Sequence, residues 1–197
     1  MSETIDVDPI KRFAMVFAKA QSTPIEWPNA MVLSTVGVDG RPSSRMVLLK
    51  GFDSRGFCFY TNLSSRKAKE LCRLPFGALL FYWPTIDEQI RIEGSVLPVT
   101  DAEADAYFAT RPRKSQIGAW ASRQSEPLAS ESELVNRVAR FTKDYFGQIV
   151  PRPSFWSGFR LIPDQFEFWH EAPHRLHQRW RYTVRESGGW EIERLYP

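Results

Sequence analysis

The apolar positions of this chain follow two periods, one helical and one alternating. Ile10, Phe13, Ala14, Phe17 and Ala18 recur at helical spacing behind Asp8-Pro9, an N-cap residue followed by a first-turn proline. A connection holding Pro24 and Pro28 spans 21–29, and 30–36 is apolar and β-prone. Asp39-Gly40 marks a hairpin turn into a strand over 42–50. There Arg45, Val47 and Leu49 share one face, and Met46, Leu48 and Lys50 the other. Residues 53–56 turn into an aromatic strand over 57–61, and a helix follows through about Cys72. Strands over 77–83 and 88–99 flank a turn at 84–87. In the second, Gln89, Arg91 and Glu93 face away from Ile90 and Ile92, which leaves Gln89 as either an amide donor or a surface residue. Thr100-Asp101 caps a helix over 102–110. An amphipathic helix is expected over 130–146, with Leu134, Val135, Val138, Phe141 and Tyr145 inward. Strands over 155–161, 165–170, 176–184 and 190–195 close the chain, the last two joined through Gly188-Gly189. Mostly strands with helices at the start, middle and late middle predict an α+β protein, one antiparallel barrel or sheet decorated by helices.

Between the two central helices lies 111–125, a stretch that mixes Arg, Lys, Gln and Ser with one Gly and one Trp. It reads as a loop able to wrap an anion, because phosphate is held by several converging N–H and O–H donors. Asn62, Ser64, Ser65, Arg66 and Lys67 open the helix after the aromatic strand. Cations there oppose the helix dipole, a conflict that a bound anion would remove.

Composition narrows the picture. A chain of 197 residues, 43% hydrophobic and 14% aromatic, can bury a sizeable core as one large domain or two small ones. A net charge of +3 is too small to argue for nucleic acid. The two cysteines, Cys58 and Cys72, each on what reads as an apolar face, form no disulfide framework, which fits a reducing compartment. No run is long enough to span a bilayer and residues 1–7 lack a signal-peptide core, so a cytoplasmic protein with no membrane partner is expected. His170 and His174 have no further ligand at metal spacing and flank Pro173, so no metal is expected. Arg45, Lys50, Arg66, Lys67, Arg111, Arg175 and Arg179, flanked by amides, hydroxyls and aromatics, are more cations than one phosphate needs. Two phosphorylated ligands would account for them.

Nine segments in fixed order carry a family resemblance. They are Arg45-Met46-Val47-Leu48-Leu49-Lys50, Gly56 to Asn62, Ser65-Arg66-Lys67, Gln89 to Gly94, the 111–125 stretch, Trp156-Ser157-Gly158-Phe159-Arg160, Glu167-Phe168-Trp169, Arg175-Leu176-His177-Gln178-Arg179 and Arg194-Leu195-Tyr196-Pro197. Together, from about Asp8 to Pro197, the chain resembles the pyridoxine/pyridoxamine 5'-phosphate oxidases. The resemblance implies a split β-barrel over 1–197, with 1–7 flexible and 155–197 completing the active site. It implies a homodimer with FMN at the subunit interface, contacted by both subunits. It also implies oxidation of pyridoxine or pyridoxamine phosphate at C4' to pyridoxal 5'-phosphate, with dioxygen reduced to hydrogen peroxide. Carried over residue by residue, the FMN set is Arg45, Met46, Val47, Leu48, Leu49, Lys50, Tyr60, Thr61, Arg66, Lys67, Gln89, Gln124, Ser125, Trp169 and Arg179. The substrate set is Lys50, Tyr107, Arg111, Ser115, Arg175, Leu176 and His177, with Arg175 and His177 as the residues over the reacting carbon. The flavin supplies the redox chemistry, so no strong protein base is expected.

The chain departs from the family pattern in two places. The family commonly carries a longer N-terminal segment that folds over substrate, and this chain begins close to its first helix, so looser substrate closure is expected. His170-Glu171-Ala172-Pro173-His174 stands where the family often has Gln and glycines, and Gln178 where an acid is common. Two other functions stay open: a related flavin oxidase acting on another ring, such as a phenazine precursor, and a non-catalytic FMN- or pyridoxal-phosphate-binding protein.

Overall fold

The computed structural model describes residues 7–197, so all but Val7 of the expected flexible 1–7 segment lies outside the described residues. Among the described residues, nine strands form one antiparallel sheet: β1 (Ala30–Val36), β2 (Pro42–Leu48), β3 (Gly51–Asp53), β4 (Gly56–Asn62), β5 (Phe76–Trp83), β6 (Glu88–Pro98), β7 (Trp156–His170), β8 (Gln178–Val184) and β9 (Trp190–Leu195). The order is β2-β1-β5-β6-β7-β4-β3. The two end strands, β2 and β3, are separated in the chain only by Leu49 and Lys50. Strands so close in the chain sit at opposite ends of the order only if the sheet curls round, and the Lys50 N–H bonded to the Cys58 carbonyl helps to seal the curl. This is the split β-barrel. The β8–β9 hairpin continues from the far half of β7.

The interior is aromatic and aliphatic, from Met31, Leu33, Phe59, Phe81, Ile90, Ile92, Leu161 and Phe166, all fully buried. Helix α1 (Pro9–Gln21), capped by the Asp8 carboxylate on the Ile10 N–H, plants Phe13 against Phe52, Phe57, Phe81 and Trp83. Helices α2 (Arg66–Arg73), α3 (Asp101–Thr110), α4 (Arg113–Ala121) and α5 (Glu131–Asp144) complete the described set.

Several expectations are corrected. The strands expected over 155–161 and 165–170 are one, β7, because Pro163 sits at a bulge rather than at a break: the register with β6 shifts between Glu93 and Gly94. A side chain at position 94 would put Cβ 2.0 Å from the Ile162 carbonyl oxygen, so the crossing requires glycine. The expected strand over 42–50 ends at Leu48. The last hairpin starts at Gln178 rather than 176, since Pro173–Arg175 forms a 3-10 turn and Leu176, 68% exposed, only ends it. The 111–125 stretch is not all loop. Residues 113–121 form α4, whose buried Gln116 donates from Nε2 to the Phe108 carbonyl at the end of α3, and whose Trp120 donates to the Pro151 carbonyl. Helix α5 buries no residue: Leu134, Val135 and Val138 are exposed, and Phe141 and Tyr145 pack on Trp120 instead. Cys58 is buried as expected, but Cys72 is exposed.

Candidate active site

A cleft of about 950 Å³ opens where β2, β4, α2, α3, α4 and the start of β7 converge. That is the upper end of the size usual for cofactor and substrate pockets. Edge strand β2 contributes Arg45, Met46, Val47 and Leu48, and Lys50 follows it. Tyr60 and Thr61 come from β4, Arg66 and Lys67 from the first turn of α2. Tyr107 and Arg111 come from the end of α3, Ser115 from α4, and Gln124 and Ser125 from the segment after it. Leu49 is placed elsewhere: it is a core residue, its N–H bonded to the Asn29 carbonyl and its own carbonyl accepting from the Asn29 side chain.

The remaining candidates form a second group at the other end of β7. Gln89 on β6 stands opposite Trp169 on β7, which stands opposite Arg179 on β8. The Trp169 and His177 rings lie 4.6 Å apart, and His177 Nδ1 accepts from the Ala172 N–H. Arg175, Leu176 and His177 lie on the connection into β8, with Arg175 at φ 63°, a conformation that non-glycine residues seldom adopt. None of these lines the cleft. Tyr60 pairs with Gly158, and Trp169 is 11 residues further along β7, up to about 36 Å at the usual strand rise. Within one copy of the chain, the candidates are therefore two half-sites. Arg179 donates to Glu167 and to the Tyr196 carbonyl, and Arg91 donates to the same buried carboxylate. Of the departures, His170 Nδ1 lies 3.2 Å from Glu88.

The electrostatics of the cleft favour an anion. Ser65 takes the N-cap position of α2 without making a side-chain capping bond, so first-turn N–H groups are left for another acceptor. Lys67 is 8% exposed, with its Nζ 3.2 Å from Thr61 Oγ1 and 3.4 Å from both Ser65 Oγ and Gln124 Oε1. No carboxylate pairs with it among the described residues; burial, then the nearby Arg45 charge, lowers its pKa. Arg111 lies over the Trp156 ring at 4.6 Å and has a buried Nη1 without a hydrogen-bond partner. Burial lowers its pKa as well. Tyr60 stacks on both Tyr107 and Trp156 along the wall.

Two contributors escaped the sequence reading. Trp156 was visible only as part of a motif, and its role as a platform for Arg111 depends on the fold. Glu70 follows Arg66 by four residues on α2, a spacing that could have flagged it. Its Oε1 accepts from Arg66 Nε at 2.8 Å, while Oε2 accepts from Thr35 at 2.5 Å, Ser43 at 2.7 Å and Arg45 at 3.2 Å.

A curled antiparallel barrel with a cation-lined cleft beside its edge strand is the fold of the split-barrel flavoprotein family. The chain belongs to the pyridoxamine 5'-phosphate oxidase family: residues 17–143 match the family model described as "Pyridoxamine 5'-phosphate oxidase", and residues 156–197 the one described as "Pyridoxine 5'-phosphate oxidase C-terminal dimerisation region". A protein from Myxococcus xanthus named pyridoxine/pyridoxamine 5'-phosphate oxidase is 58% identical over 98% of this chain and 93% of its own length. One of the same name from Rhodospirillum rubrum is 52% identical over the whole of both chains. Among solved structures, PhzG from Burkholderia lata 383, in complex with tetrahydrophenazine-1-carboxylic acid, superposes with a TM-score of 0.93 at 32% identity, covering 99% of this chain and 95% of that one.

Proposed function

We propose that this chain is an FMN-dependent oxidase converting pyridoxine 5'-phosphate and pyridoxamine 5'-phosphate to pyridoxal 5'-phosphate, with dioxygen as acceptor and hydrogen peroxide as product. One observation carries the reading: two cations on different elements of the cleft, the buried Lys67 and the half-buried Arg111, lack a carboxylate partner among the described residues, and Arg111 keeps an orphaned buried Nη1. Each costs desolvation energy that only an anion returns. Two phosphates, one from each ligand, satisfy both.

The residues present fit the cofactor. The first turn of α2, with Arg66 and Lys67, would hold the FMN phosphate, and Thr61, Gln124 and Ser125 would meet its polar atoms. When bound, the flavin supplies the two-electron redox chemistry. Lys50, Tyr107, Arg111 and Ser115 would hold the substrate phosphate, and the Tyr107–Tyr60–Trp156 stack would exclude water from one wall. Gln89, Trp169, Arg175, His177 and Arg179 would complete the site from a second copy of the chain, since they stand at the far end of β7 and the C-terminal segment matches a dimerisation region. In that reading 155–197 belongs to one domain with the rest of the chain but serves the partner's cleft, and the protein works in the cytoplasm. Arg175 and His177 orient the substrate and stabilise developing charge.

The test is anaerobic reduction. With FMN bound, pyridoxine 5'-phosphate should bleach the flavin, and air should restore it as aldehyde appears. Flavin that binds but is reduced by neither phosphorylated vitamer would sink the proposal. Reduction by a carboxylated tricyclic substrate instead would favour the phenazine-type reading that the likeness to PhzG keeps in view.

A further inference from the structure

Glu70 is a buried carboxylate on α2. Its carboxylate gathers four donors from three elements: Thr35 on β1, Ser43 and Arg45 on β2, and Arg66 on α2. The same Arg45 also donates to the Leu33 carbonyl, Thr35 and Ser43, so both of its terminal nitrogens are engaged in a brace. Arg66 is different. Among the described residues only its Nε is engaged, by Glu70, and its side chain is 63% exposed on the cleft. Held at Nε, the planar guanidinium keeps its Nη pair available as a fork for a tetrahedral anion. The strand tied down by this carboxylate is an edge strand, β2, with a neighbour on one side only.

We infer that Glu70 is a positioning residue for the cofactor phosphate: it docks the cation-bearing turn of α2 on edge strand β2 and aims the Arg66 fork into the cleft. The inference rests on the FMN reading of that cleft. A simple electrostatic role has the opposite sign, because removing a negative charge beside an anion site should tighten anion binding. Positioning predicts weaker binding, and weaker only for the phosphate-bearing flavin.

The experiment titrates wild type, Glu70→Gln and Ser43→Ala with FMN and with riboflavin, which lacks the phosphate, by flavin fluorescence quenching, with circular dichroism as a check on folding. In Glu70→Gln the preference for FMN over riboflavin should narrow by about tenfold, from loss of a pre-ordered arginine and of the helix–strand docking, while riboflavin affinity moves by less than about twofold. Ser43→Ala, which removes one donor from the strand side, should shift the preference the same way by a smaller factor and decides the matter if Glu70→Gln does not fold. An unchanged or wider preference in the folded variants overturns the inference while leaving the FMN reading intact. A wild type that binds neither flavin removes both.

Discussion

Replacing Lys67 with Met should invert the stability order of variant and wild type according to whether FMN is present. The Lys67 ammonium is buried and has no acidic partner among the described residues; its neighbours there are the oxygens of Thr61, Ser65 and Gln124. Those oxygens already meet one another, with Thr61 donating to Gln124 at 3.0 Å and lying 3.4 Å from Ser65 Oγ, so a Met of similar length strands none of them. Relief of the desolvated charge should then stabilise the ligand-free variant by about 1 kcal/mol, or roughly 2–4 °C in a chain of this size. With FMN the sign changes. A lost charge-assisted hydrogen bond to phosphate costs about 2 kcal/mol, a roughly thirtyfold weaker Kd. At a free FMN concentration of about 100 times the wild-type Kd, binding stabilises wild type by about 2.7 kcal/mol and the variant by only about 0.9 kcal/mol. The loaded variant should therefore melt below loaded wild type by roughly 1 kcal/mol, or about 2–4 °C. Thermal unfolding followed by circular dichroism at one fixed protein concentration checks both halves, since association of subunits also shifts Tm. A variant that is less stable than wild type without FMN, or that gains as much from FMN as wild type does, would refute the reasoning that an unpaired cation is kept for an anion.

Three other outcomes follow from the structure. Arg111→Met keeps an apolar contact on Trp156 but removes the orphaned Nη1 donor, so the KM for pyridoxine 5'-phosphate should rise by roughly 10–100-fold, with FMN affinity changed little in a direct titration. Phe13→Ala empties a fully buried site among Phe52, Phe57, Phe81 and Trp83 and should cost about 3–5 kcal/mol in urea unfolding; a loss near 1 kcal/mol would mean that α1 is not integral to the barrel core. Burial alone would raise the Glu70 carboxyl, but hydrogen bonds from Thr35, Arg66 and Ser43, with the Arg66 charge, hold it down to about 2. A carboxyl depressed on folding stabilises the protein above its unfolded pKa and loses that contribution as pH falls through the folded value. Acid should thus remove about 1–3 kcal/mol, discounted for solvent screening, between pH of about 4.5 and 2, and Glu70→Gln should flatten that limb of the pH–stability curve.

Much of the fold was legible because the signals that write it are local. Asp8-Pro9 starts a helix, Asp39-Gly40 turns a hairpin, and the alternation from Glu88 to Pro98 marks a half-buried strand, each by geometry within a few residues. Where the chain was misread, a tertiary contact overrides a local preference. Residues 113–121 are too polar to advertise a buried helix, yet the Phe108 carbonyl satisfies Gln116 and the Pro151 carbonyl satisfies Trp120. The apolar stripe of α5 promised burial, but α4 covers only its Phe141 and Tyr145 end. Pro163 resembles a strand break, and only the bulge opposite Gly94 lets β7 continue through it.

The candidate site divides along the same line. The order of its residues was sufficient by itself to determine the family and the types of group available to bind phosphate, because residue chemistry and order need no coordinates. Tertiary structure alone decided which groups meet. It gathered the β2, α2, α3 and α4 candidates into one cleft, left Gln89, Trp169, Arg175, His177 and Arg179 at the opposite end of β7, and turned Leu49 into the core. It also decided which cations are neutralised within the chain, as Arg45 is by Glu70, and which, like Lys67 and Arg111, are held without a carboxylate among the described residues. Charge pairing is a matter of a few ångströms between residues remote in sequence, and that distance is set by how the sheet curls.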